Sequence, residues 1–172
     1  MTDLQNTVVP LDDYDMSEIL GDTPDAFGVA ELGFTWRPKE HHVGIRAEPD
    51  GRLVAHAGLV VLPVTAGGRH TELVGLGGVA VAADRRGRGL ARAVVDGALA
   101  RARALGPSTA ILFCRPDVAG LYARLGWRPV EGPVEVEQPA GPVVMPLRTM
   151  WFPLREGAQF PEGAVRLHSL PM

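Results

Sequence analysis

A single cysteine, Cys114, occurs among the 172 residues. This excludes an internal disulfide and any cysteine-rich metal site, and no metal is expected. Lysine is equally scarce: Lys39 is the only one, and the rest of the 17 basic residues are arginines. In so arginine-biased a chain, one arginine by itself is a weak functional sign. Positive charge is also lacking overall. The formal net charge of -3 argues against general nucleic-acid binding. No apolar run approaches the roughly 20 residues that a membrane helix needs. The first residues, with Asp3, Gln5 and Asn6, lack the basic-then-apolar pattern of a secretion signal. Neither internal repeats nor low-complexity blocks are present. The expectation is a cytoplasmic enzyme or binding protein.

What is there is a globular composition, 46% apolar and 22% charged, in a length that suits one domain over 1–172. Asp12 to Leu20 reads as a short helix stopped by Gly21, and 21–42 as a second helix with a loop. Strands are expected at 43–47, 52–64 and 71–82. The turns Pro49-Asp50-Gly51 and Ala66-Gly67-Gly68 join them into an antiparallel meander. Leu90, Val94, Ala98, Ala102 and Leu105 recur at helical spacing, so 89–105 is an amphipathic helix ended by Gly106-Pro107. Thr109 to Cys114 is a short continuous apolar run that suits a buried central strand. A helix follows from Pro116, with Val118, Leu121, Tyr122 and Leu125 on one face and Gly126 closing it. Val130–Val136 and Val143–Leu154 read as two last strands. Residues 155–172 show no periodicity and receive no assignment. The order indicates an α+β, mixed α/β fold, a sheet with helices packed on it.

The segment Val79-Ala-Val-Ala-Ala-Asp-Arg-Arg-Gly-Arg-Gly-Leu-Ala-Arg92 carries the chemistry. A strand stops, an arginine-rich turn with two glycines follows, and a long helix begins. Amides at such a junction lack intrahelical partners, and with the helix dipole they suit a phosphate or pyrophosphate. Gly87 and Gly89 allow close backbone approach. Arg85, Arg86, Arg88 and Arg92 can add charge-assisted hydrogen bonds. No Gly-Lys-Ser/Thr follows, which excludes a Walker loop. The dinucleotide fingerprint lacks its third small residue and its ribose-binding acid.

Arg86-Gly87-Arg88-Gly89-Leu90-Ala91 instead resembles motif A of the GNAT superfamily of acetyl-CoA-dependent N-acetyltransferases. Arg115-Pro-Asp-Val-Ala-Gly-Leu-Tyr122-Ala-Arg-Leu-Gly126-Trp127 resembles its motif B, in the right order and at the right separation. The resemblance covers about Val43 to Val136. It implies a central mixed, mostly antiparallel sheet, splayed in the middle, with helices on both faces. Acetyl-CoA is implied as cosubstrate. Val79, Ala80 and Val81 would receive the pantetheine arm, and Val79 or Val81 would donate an amide to the thioester carbonyl. Arg86, Gly87, Arg88, Gly89, Leu90 and Ala91 would bind the pyrophosphate. Arg92 or Arg85 would either reach a phosphate or remain a solvated surface arginine. Gly77-Gly78 would mark the bulge that splays the strand.

Tyr122 is the implied general acid. A phenol with a pKa of about 10 is protonated at neutral pH and can supply the leaving thiolate with a proton. By its apolar face alone it would read as a core tyrosine. Glu72, His56 and a water chain are the candidates for the general base, His56 also fitting a satisfied strand histidine. Cys114 fits a small buried hydrophobe better than an acetyl-carrying nucleophile. Arg115 stands where many relatives carry a cofactor-contacting asparagine.

Within the superfamily the motifs look most like aminoglycoside N-acetyltransferases of the mycobacterial type. A polycationic antibiotic needs carboxylates in its pocket, yet Gly77 and 141–148 stand where those relatives are acidic. A primary amine of a small molecule is therefore the expected acceptor. An acyl-CoA-binding sensor without catalysis and a peptide or protein N-acetyltransferase are the alternatives. Relatives are often dimers, so the resemblance also admits a homodimer.

Overall fold

Alternation of apolar residues along 41–81, interrupted by two glycine-bearing turns, folds the middle of the chain into a three-stranded meander. The computed structural model describes residues 7–172. Its strands are β1 (Val8–Pro10), β2 (His41–Arg46), β3 (Leu53–Ala66), β4 (Arg69–Val81), β5 (Thr109–Cys114), β6 (Arg128–Pro129), β7 (Val134–Val136), β8 (Val143–Val144), β9 (Arg148–Pro153) and β10 (Val165–Leu167). The helices are α1 (Ser17–Leu20), α2 (Leu90–Arg103) and α3 (Ala119–Arg124). None is long and apolar enough to cross a membrane.

All strands join one mixed sheet, ordered β6-β9-β5-β4-β3-β10-β7-β8. The long β3 is shared: its first half pairs with β2, which in turn pairs with β1, and its last residues pair with β10. Only β4–β5 and β10–β7 are parallel. The β4–β5 link needs a crossover, which α2 provides. Leu90, Val94, Val95, Ala98, Leu99 and Ala102 of α2 are buried against one face of the sheet. Residues of α1 and α3, including Ile19, Ala119 and Tyr122, join the same cluster. On the second cluster, Val60, Leu62, Leu73 and Ile111 are covered by Phe34, Trp36, Phe160 and Met172 from loop and chain-end segments.

Four local expectations change. The first helix is a single turn, because Asp15 rather than Asp12 or Asp13 binds its opening amide, Ser17 N to Asp15 Oδ1 at 2.9 Å. Residues 21–42 hold no second helix, only a 3₁₀ turn at Ala30–Leu32 before β2 begins at His41. There Asp25 Oδ1 takes the amides of Val29 (2.8 Å) and Ala30 (2.9 Å), competing with helical bonding. Pro133 and Pro146, which lack an amide to pair, split the two late strands into shorter pieces. Finally, the unassigned tail supplies β10, antiparallel to β3 and parallel to β7.

Candidate active site

β4 lies beside β3 along most of its length but beside β5 only at Val74, Gly75 and Leu76. Beyond Leu76 the two parallel strands part. The cause is local. The β3–β4 register slips between Gly58↔Gly77 and His56↔Ala80, leaving Gly78 and Val79 opposite Ala57 alone. Gly78 takes φ +61°, a conformation costly for any residue with a Cβ. This bulge, at the expected glycine pair, turns Val79–Val81 away from β5. The gap between the strands is a cleft of about 670 Å³. One wall is Leu76 to Val81, the other Leu112 to Arg115 with Tyr122 and Leu147.

At its outer end the cleft meets the turn before α2. Gly87 and Gly89 both have φ +77°, which suits glycine. Gly89 caps α2 without any side-chain bond. The main-chain amides from Arg86 to Arg92 donate to no acceptor among the described residues, the first bonded one being Ala93 N to Gly89 O at 3.1 Å. A row of free amides at the start of a 14-residue helix is an anion-binding surface. Arg85, Arg86, Arg92, Arg115 and Arg124 also line the cleft, and among the described residues no carboxylate does. Asp84 is drawn off to the side. Arg52 binds it at 2.6 Å and holds its carboxyl below the usual range. These features fit a CoA pyrophosphate at the turn and a pantetheine arm along Val79–Val81.

Tyr122 sits at the junction of the two halves. Burial pushes its phenol up to about 12, so it is protonated across the physiological range. Its hydroxyl has no hydrogen-bond partner among the described residues, and the ring meets the edge of Trp127 at 6.2 Å. Cys114 lies nearby, and burial raises its thiol to about 11. It stays a thiol and offers no thiolate nucleophile. Arg115, bridged to Asp117 at 3.0 Å, packs its guanidinium against Gly28 in the loop that roofs the cleft.

The remaining candidates are divided. His56 is 3% exposed and does not line the cleft, but its Nδ1 reaches the carbonyl oxygen of Gly78 at 2.7 Å. Its Nε2 lies 3.1 Å from His42 Nδ1, which in turn lies 2.9 Å from the Tyr14 hydroxyl. The chain of bonds thus ends on the bulge. Glu72 is not brought to the site. It is exposed opposite Pro63 at the far end of β4, roughly 20 Å along the strand from Gly78. Arg88 does not line the cleft either. The sequence reading missed Leu20, Ala26, Phe27 and Val29, which line the cleft from the loop after α1, and Leu147. Their neighbours in space are remote in sequence, and no local pattern marks them.

Residues 10–130 match the family model described as "Acetyltransferase (GNAT) domain". Among solved structures, the chain is similar to a GNAT family N-acetyltransferase, YhbS, of Escherichia coli in complex with CoA. They share 19% identity over 94% of this chain and 89% of that one, with a TM-score of 0.63. A GNAT family acetyltransferase of Brucella melitensis in complex with acetyl-CoA is 15% identical over 93% and 95% of the two chains, with a TM-score of 0.52. The ribosomal-protein-S18-alanine N-acetyltransferase of E. coli is 18% identical over 90% and 99%, with a TM-score of 0.55. Among curated proteins none matches significantly in sequence.

Proposed function

The chain belongs to the GNAT acetyltransferases, and from that premise we propose that it moves an acetyl group from acetyl-CoA to a primary amine of a small molecule, with Tyr122 as general acid. The observation that carries this reading is the continuity of one cleft, from the free amides after Arg86 to the unpartnered hydroxyl of Tyr122. Its volume of about 670 Å³ lies within the range of small-molecule sites.

Acetyl-CoA supplies the acetyl thioester. The Arg86–Ala91 turn binds its diphosphate, and the surrounding arginines neutralise charge. Val79 or Val81 presents an amide to the thioester carbonyl. The acceptor ammonium gives a proton to water, as the described lining of the cleft holds no carboxylate. The amine nitrogen then forms its bond to the acetyl carbon as the carbon–sulfur bond breaks. Tyr122 donates its proton to the departing sulfur and regains one from solvent. Net, one ammonium and one thioester yield an amide, a thiol and a proton.

The lack of acidic lining also separates this site from an aminoglycoside pocket, where a polycation must be held. Free-thiol release from acetyl-CoA, measured over small amines, aminoglycosides and peptides, tests the reading. Turnover of small amines, with a large rate loss in Tyr122→Phe at unchanged cofactor affinity, is expected. Turnover confined to peptides, strong turnover of aminoglycosides, or cofactor binding with no thiol release would overturn it.

A further inference from the structure

Behind the bulge three rings are bonded in a row. His42 on β2 and His56 on β3 each stand opposite a glycine of the other strand, His42 opposite Gly58 and His56 opposite Gly44. The two rings meet diagonally, with His56 Nε2 3.1 Å from His42 Nδ1. The Tyr14 hydroxyl reaches the same nitrogen of His42 at 2.9 Å. The Tyr14 ring is stacked on that of His56, with 4.9 Å between centroids and 28° between planes. On its other side His56 donates from Nδ1 to the carbonyl of Gly78 at 2.7 Å. Gly78 admits the imidazole by having no side chain, since a Cβ there would stand only 3.3 Å from His56 Cε1. The far end of the row is anchored too. Tyr14 stands shortly before α1, and the chain beyond it supplies Leu20, Ala26, Phe27 and Val29 to the cleft.

One proton per ring fixes the direction of these bonds. Burial holds both imidazoles below their usual value, and the charge of Lys39 adds to it, so each ring is neutral at neutral pH. A carbonyl only accepts, so the His56 proton sits on Nδ1 and Nε2 keeps a lone pair. The proton between the two histidines therefore belongs to His42 Nδ1, and the Tyr14 oxygen shares it. Without His42, the His56 ring would be held by one hydrogen bond instead of two. Its proton would then be free to move to Nε2, where it no longer reaches Gly78. The Gly78 carbonyl and the Val79 amide belong to one planar peptide, so what fixes the first fixes the second. Val79 lines the cleft, and none of the three rings does.

We propose that His42 and Tyr14 are positioning residues for acetyl transfer: through His56 they hold the Gly78–Val79 peptide at the angle its amide needs. This rests on the acetyl-transfer reading above, in which Val79 is one of two residues that offer an amide to the thioester carbonyl. An amide set in advance stabilises the charge that grows on the carbonyl oxygen without having to turn toward it during the reaction.

The test uses the full chain and two kinds of readout. Nitrogen–proton correlation spectra of the isotope-labelled protein report the tautomer of each histidine without turnover. His56 is expected as the Nδ1–H form, with a ring proton that exchanges slowly with water, and His42→Phe should speed that exchange. In thiol release, His42→Phe should lower kcat about three- to tenfold, the worth of one hydrogen bond, with acetyl-CoA affinity unchanged within about twofold. Tyr14→Phe, which keeps the stacked ring and removes the hydroxyl, should lower kcat by less. His42→Asn, whose amide nitrogen stands where Nδ1 does and can donate to His56 Nε2, should recover most of the loss. In a His56→Phe background His42→Phe should cost nothing further, because the row is already cut. An Nε2–H tautomer at His56 would overturn the proposal without any variant. So would an unchanged kcat in a folded His42→Phe, a loss that His42→Asn does not recover, or losses that add in full to that of His56→Phe. Acetyl-CoA binding with no thiol release would remove the transfer reading instead. The His56 tautomer and its exchange in His42→Phe would then still decide whether the row holds the bulge.

Discussion

His56 and Gly78, on adjacent strands, are joined by a 2.7 Å hydrogen bond from the imidazole Nδ1 to the bulge carbonyl. A carbonyl only accepts, so Nδ1 carries the proton. Neutral His56 then accepts at Nε2, where His42 Nδ1 lies at 3.1 Å. This bond holds the peptide between Gly78 and Val79, two residues that line the cleft.

Replacing His56 by phenylalanine keeps a ring in the core and removes the donor. Leaving the Gly78 carbonyl unpaired is expected to cost about 1–3 kcal/mol of stability. Because the Val79 amide is then free to tilt, kcat should fall more than acetyl-CoA affinity. Urea denaturation and steady-state thiol release measure the two effects. An unchanged kcat in a folded variant would remove the bulge from catalysis.

Acidification should destabilise the fold through the same pair. Burial is the largest cause holding His56 and His42 below their usual value, and the Lys39 charge adds to it. Both are neutral in the folded chain, while in the unfolded chain they take up protons near pH 6.5. Their contribution is complete above about pH 6.5 and is lost as pH falls below it, through the folded-state values. Denaturation midpoints at pH 7.5, 6.5 and 5.5 should fall in that order. A flat profile, or one rising toward acid, would contradict it.

Gly89→Val should strike the cofactor rather than the core. Position 89 has φ +77° with open space around it, so the cost is backbone strain of about 1–2 kcal/mol. It also moves the free amides and places a side chain where the diphosphate approaches. At 100 times Kd, acetyl-CoA should stabilise the unaltered protein by about 2.7 kcal/mol. Thermal melts of the variant should show most of that increment gone.

Tyr122 predicts an absence on the alkaline side. With its phenol pushed up to about 12 by burial, Tyr122 keeps its proton through the working range. The pH profile of kcat should show no loss from this group below about pH 10. A basic limb near pH 9 that disappears in Tyr122→Phe would show that the phenol is far less buried during turnover.

Much of this was legible along the chain because the signals are local. The turn from Arg85 to Ala91 needs two glycines and a helix start in succession. Thr109–Cys114 announces a central strand by being apolar at every other position and between. Tyr122 follows from its place on a short helix ended by Gly126. The roof from Leu20 to Val29 was not legible, and neither was the exclusion of Glu72. Those depend on which end of a 13-residue strand faces the cleft, and register alone decides that.

The sequence by itself determined the local conformers: where strands alternate, where proline breaks them, where glycine opens a turn and leaves amides unpaired. Those depend on each residue and its immediate neighbours, which is why they survive without coordinates. Only the tertiary structure decided that β4 leaves β5 after Leu76, that Val165–Leu167 closes on β3, and that Lys39 lies across Gly58 and Gly77. These are pairings between segments far apart in the chain. Their free energy comes from burying shared surface, and no single segment carries it.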